Sequence, residues 1–122
     1  MTIIERVRNR LRDDAIARMR AFLAANPPPG AERVILFGSL ARNTHDGASD
    51  ADVMVIGGDG TIDTGIWDAA ERDVDIVPWK ADAWARARAQ GHPFVLTILR
   101  EGIELWRAPG VPALDQARGD QA

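Results

Sequence analysis

The sequence predicts an α/β fold: a small mixed β-sheet flanked by helices. Three observations predict it. Short apolar runs rich in Val and Ile recur at 33–37, 51–56, 74–77 and 103–106, each bounded by turn residues. Segments of helical periodicity stand before and between them. Strand and helix alternate along the chain, the pattern of a sheet covered by helices.

The first element is a helix. Thr2-Ile3-Ile4-Glu5 is a capping box, and Ile4, Val7, Leu11, Ala15, Met19, Phe22 and Leu23 follow at helical spacing. Asn26-Pro27-Pro28-Pro29-Gly30 ends it. Arg33 to Phe37 reads as a buried strand, broken by Gly38-Ser39, after which Ser39 to Arg42 starts a single helical turn. A polar loop leads to a second strand, Ala51 to Ile56, and Gly57-Gly58-Asp59-Gly60 forms a turn. Residues 62–71 are ambiguous, with a short helix expected around Trp67 to Arg72. Val74 to Val77 is the third strand, closed by Pro78. Asp82 to Gln90 is helical and stops at Gly91. His92-Pro93 opens another helix, with Pro93 at its first position and Gly102 as a left-handed stop. Ile103 to Trp106 is the last strand. The expected order is therefore αβ(α)β(α)βααβ.

At 122 residues the chain is one domain, and 46% hydrophobic with 27% charged residues is ordinary for one packed core. Residues 1–107 read as the domain. Residues 108–122, rich in Pro, Gly and polar side chains, read as a flexible tail. With a net charge of −3, nothing in the overall balance argues for a nucleic-acid or membrane-surface protein. The charge is uneven, however: residues 1–26 carry six arginines against three acids, a net +3 beside −6 for the rest. That bias fits a solvated helix face or a basic surface for an acidic partner or RNA. With no cysteine there is no disulfide framework and no thiolate metal site. No segment approaches the ~20 apolar residues that span a bilayer, and a cytoplasmic location is expected.

The residues that carry chemistry lie between the first three strands. A Gly38-Ser39 turn after a strand offers backbone N–H groups and a hydroxyl to phosphate oxygens. Ten residues on, Asp50 and Asp52 stand i, i+2, on one face, and can share metal ions. A two-metal site for nucleotidyl transfer needs a further carboxylate from an adjacent strand. Asp75, alone in Val74-Asp75-Ile76-Val77, is the choice, because a carboxylate in a buried strand asks for a partner. Asp73 shares its parity but stands nearer the strand end. Asp46 and Asp59 read as loop acids, and His45 and His92 as loop and cap residues. Of the four tryptophans (Trp67, Trp79, Trp84, Trp106), Trp84 is the expected partner-facing aromatic, on a helix beside Arg86 and Arg88.

Phe37-Gly38-Ser39-Leu40-Ala41-Arg42 with Ser49-Asp50-Ala51-Asp52-Val53-Met54-Val55 resembles the minimal nucleotidyltransferases of the DNA polymerase beta superfamily. The likeness extends through Val74 to Val77 and the closing pattern Gly91-His92-Pro93…Leu105-Trp106. It implies a polymerase-beta-like fold, with the triphosphate on Gly38 and Ser39. It implies two Mg²⁺ ions on Asp50 and Asp52, with Asp75 as third metal carboxylate or as base. Arg42 lies in the family's arginine position and either touches a phosphate or forms a structural ion pair. Asn43 departs from the family's usual glycine there, yet asparagine also tolerates left-handed backbone.

Many small proteins of this group are antitoxins that transfer AMP from ATP to a tyrosine of a HEPN ribonuclease toxin. The resemblance therefore implies ATP as substrate, a HEPN-type partner and a hetero-oligomer. This chain has no tyrosine, so such a target lies in trans. Two other readings stay open: an antitoxin that acts by binding alone, and a transferase acting on a small molecule.

Overall fold

A computed structural model describes residues 2–42 and 50–114. Its elements follow the expected order: α1 (Ile3–Ala25), β1 (Ala31–Phe37), α2 (Gly38–Arg42), β2 (Ala51–Gly57), α3 (Ile66–Ala70), β3 (Val74–Trp79), α4 (Ala81–Ala89), α5 (Pro93–Glu101) and β4 (Ile103–Arg107). The strands form one sheet in the order β3-β2-β1-β4. β1 is antiparallel to β2 and β4, whereas β2 and β3 run parallel. The result is the mixed sheet the strand–helix alternation predicts. Among the described residues no helix is long and apolar enough to cross a membrane. The loop readings at Asn43, His45 and Asp46, and the tail residues 115–122, lie outside the described residues.

Side-chain alternation along the strands divides the core in two. Val34, Leu36, Val53 and Val55 face α1 and α3, where they meet Met19, Leu23 and Ile66. Ile35, Met54 and Ile56 face the other way and pack on Trp84, Val95 and Ile98 of α4 and α5. Leu114, beyond β4, is buried in this second cluster. A buried arginine marks the start of β1: Arg33 donates to Glu104 Oε2 at 2.8 Å and to the Pro112 carbonyl at 2.9 Å. With its charge paired and its donors used, it sits in the interior at tolerable cost.

Several expectations need correction. Thr2 does cap α1, its hydroxyl accepting from Glu5 N–H at 3.1 Å. The apolar stripe of α1, however, is buried only from Ala15 onward; Ile4, Val7 and Leu11 are exposed, and in that half of the helix Arg8, Asn9 and Arg12 turn toward the domain instead. The short helix after β2 is Ile66–Ala70, not Trp67 to Arg72, since Glu71 turns left-handed (φ 54°). Pro78 does not close β3: the strand continues to Trp79, which an edge strand permits because its outer N–H groups need no partner. Gly102 is extended (φ −70°, ψ 151°) rather than left-handed. Glycine is needed there for space, as a Cβ would lie 2.6 Å from the Ile98 carbonyl oxygen. Trp84 is 5% exposed, a core residue against Trp79 and not a partner-facing one.

Candidate active site

The acids meet at one end of the sheet because of strand register. In the parallel β2–β3 pair Asp52 stands beside Asp75, and in the antiparallel β1–β2 pair it stands opposite Phe37. Strand parity puts Asp52 on the α4/α5 side with Met54 and Ile56. Asp50 lies two residues earlier, just ahead of β2. Asp73, also ahead of its strand, is exposed, and its carbonyl accepts from Ala51 N–H at 2.9 Å.

Asp52 is half-buried, and Asp50 and Asp75 are exposed. The exposure of Asp75 overturns the argument from a buried strand. β3 is the sheet edge, so its carboxylate reaches solvent without needing a partner. What singles out Asp75 is its register with Asp52. The electrostatics agree: burial first, then the negative charges of Asp75 and Asp50, push the Asp52 carboxyl above its ordinary range, while Arg42 opposes the shift.

The Gly38-Ser39 turn closes the site from the β1 side. Gly38 has φ +77°, and a Cβ on it would meet Asp52 Oδ2 at 2.3 Å. Both the backbone sign and the carboxylate behind it require glycine. Gly38 and Ser39 are half-buried at the start of α2, whose Leu40 and Ala41 anchor it in the core. Arg12 of α1 holds the far end, donating at 2.8 Å to both the Leu40 and Ala41 carbonyls. Arg42 forms an ion pair with Glu101 at 3.7 Å and remains 44% exposed. It therefore makes a structural pair and still acts on the charge of Asp52.

Sequence reasoning passed over Arg12, Glu101 and Phe37. A signal for Arg12 existed, since it stands four and seven residues before Ile16 and Met19, on the buried face of α1. Glu101 and Phe37 are placed only by tertiary packing and register. His92 is a cap, its Nδ1 accepting from Phe94 N–H at 3.2 Å. Asp59 caps its own turn through Thr61. A cavity of about 630 Å³ lined by Arg33, Trp84 and Arg88 lies near the opposite end of β1.

Among the described residues no three acid or histidine side chains converge into a preformed metal cluster. The donor set nevertheless suits a hard divalent cation. All three candidate ligands are carboxylates, and the repulsion that raises Asp52 is what a cation would offset.

The Nucleotidyltransferase domain family matches residues 16–105, three quarters of the chain and all of the site. Comparison with curated proteins gives no significant match. Among solved structures, a toxin–antitoxin crystallised with AMP-PNP is 22% identical with a TM-score of 0.51, covering 77% of this chain and 74% of its own. A mutant of the MntA–HpeT toxin–antitoxin is 21% identical with a TM-score of 0.47, over the same shares of each chain. The first of these overlaps supports a common fold.

Proposed function

This chain belongs to the nucleotidyltransferase domain family, and on that premise we propose that it transfers AMP from ATP to a hydroxyl of a partner protein, in a reaction that depends on Mg²⁺. The observation that carries the reading is the row Asp75–Asp52 set side by side across β3 and β2, with the Gly38-Ser39 turn against Asp52.

Asp50 and Asp52 would hold the cation, with Asp75 as third ligand. When bound, Mg²⁺ supplies charge neutralisation on the phosphates and lowers the pKa of an attacking hydroxyl. The chain's own groups do the rest. The Gly38-Ser39 turn cradles the phosphates with backbone N–H groups and the Ser39 hydroxyl. Arg42, exposed and within electrostatic reach of Asp52, adds positive charge on the phosphate side. Asp75 is open to solvent at the sheet edge, where an incoming hydroxyl can give up its proton.

The exposed position of Asp75 on an edge strand favours a macromolecular acceptor. The acceptor that fits best is a tyrosine of a HEPN-type ribonuclease toxin, which this transfer would silence in the cytoplasm, making the chain an antitoxin. A toxin–antitoxin bound to AMP-PNP among the structural neighbours supports that reading.

The test is intact-mass spectrometry of the neighbouring gene's product after incubation with this protein, ATP and Mg²⁺. A gain of one or more AMP units, absent with Asp50→Ala/Asp52→Ala, is the expected result. A stable complex whose mass does not change would instead favour neutralisation by binding.

A further inference from the structure

From the first half of α1 we infer a docking surface for a partner that presents an amphipathic helix with an apolar stripe and acidic flanks. The inference rests on the reading that the acceptor is a protein, and names the surface that would hold it.

Among the described residues none before Ala15 is buried. The apolar side chains of residues 3–14 do not scatter. Ile3, Ile4, Val7 and Leu11 fall on one arc of the helix and are 78%, 77%, 53% and 49% exposed. The polar side chains Arg8, Asn9 and Arg12 turn inward, and Arg12 is fastened to the carbonyls of Leu40 and Ala41. The usual sense of an amphipathic helix is thus reversed here: the apolar ridge points away from the protein. A contiguous apolar ridge of this kind marks an interaction site.

The stretches 43–49 and 115–122, Asn-Thr-His-Asp-Gly-Ala-Ser and Asp-Gln-Ala-Arg-Gly-Asp-Gln-Ala, hold no large apolar side chain to match the ridge. Charge selects the occupant. Arg6 and Arg10 run along one flank, both exposed and, among the described residues, outside any ion pair. Arg8 and Arg12 turn inward, and Arg12 pairs with Asp13, so the positive charge beside the ridge is that of Arg6 and Arg10. A second copy would set these arginine flanks against each other, whereas acidic flanks would match them.

Position gives the surface its purpose. Arg12 ties this half of α1 to the end of α2, the helix that opens with Gly38 and Ser39. A helix laid on the ridge is thereby fixed relative to the element that opens with the Gly38-Ser39 turn.

The test uses the full chain and two synthetic helical peptides with the same leucine stripe, one with glutamate flanks and one with lysine flanks. Fluorescence anisotropy should show the acidic peptide binding at least about tenfold more tightly than the basic one, and weakening as salt rises. Val7→Ser/Leu11→Ser and Arg6→Glu/Arg10→Glu should each lose about tenfold for the acidic peptide while binding ATP–Mg²⁺ as the parent does. Hydrogen exchange should slow in residues 3–11 when the acidic peptide is bound. Equal binding of both peptides, binding of neither, or variants that bind like the parent would overturn the inference. So would a dimer abolished by Val7→Ser/Leu11→Ser, which would assign the ridge to a second copy. Loss of ATP–Mg²⁺ binding in the parent itself would count against the transferase reading and leave the docking surface standing.

Discussion

Replacing Gly38 with alanine separates two demands that the structure places on one residue. The first is backbone: φ is +77°, and an L-residue there costs about 1–2 kcal/mol. The second is space. The new Cβ would lie 2.3 Å from Asp52 Oδ2, where ordinary contact begins at 3.4 Å, so the carboxylate must retreat by about 1 Å. A displacement of that size at a reacting centre lowers rate by about 100-fold. Gly91→Ala is the control. Its φ is +67° and a Cβ there meets nothing within 4 Å, so it incurs the backbone cost without the clash. Both variants should lose about 1–2 kcal/mol in urea unfolding. Only Gly38→Ala should also lose ATP–Mg²⁺ affinity by calorimetry and about 100-fold in AMP transfer. If the two variants behave alike in binding and transfer, the Gly38–Asp52 contact is not what tunes the site.

Two further expectations concern charge. Asp52 titrates above the ordinary value of 3.8 because of burial and its acidic neighbours. Between 3.8 and its folded value the native state holds a proton that the unfolded state has lost, so its contribution to stability falls as pH rises through that window. In metal-free buffer at neutral pH, Asp52→Asn should therefore be more stable than the parent. Its melting temperature should also respond less to pH just above 3.8, a difference that thermal melts across pH 3–7 measure. Glu104→Ala leaves the buried Arg33 guanidinium with only the Pro112 carbonyl and should cost about 3 kcal/mol in urea unfolding. Arg33→Met/Glu104→Ala should recover part of that loss, because the stranded charge is gone.

The order of elements was readable because hydrophobic periodicity and glycine–proline punctuation are local properties. The capping box at Thr2, Pro93 at the start of α5 and the Gly38-Ser39 break are each written in a few adjacent residues. What could not be read depends on where elements end up. The stripe of α1 looks continuous from Ile4 to Leu23, but which side of each half meets the domain is decided by tertiary packing. Asp75 in an apolar run looks buried until β3 is known to be an edge. Pro78 looks like a stop for the same reason. Trp84 beside two arginines suggests a surface, and only the packing of α4 on β2 puts it inside. Asp50 and Asp52 are candidates by their spacing and Asp75 by its place in an apolar run, but the register that sets Asp52 beside Asp75 and opposite Phe37 belongs to the tertiary structure.

The edge position of β3 has a consequence for solution behaviour. Among the described residues β3 hydrogen-bonds only to β2, so its outer backbone is a template on which another chain's strand could add. Two residues in it discourage that: Pro78 removes a donor, and Asp75 puts an exposed charge near the strand's start. The carboxylate assigned to chemistry thus also guards against aggregation. Making Asp75 neutral and apolar would weaken both safeguards of solubility and transfer together, and the two losses separate only when the aggregation state is measured beside the activity.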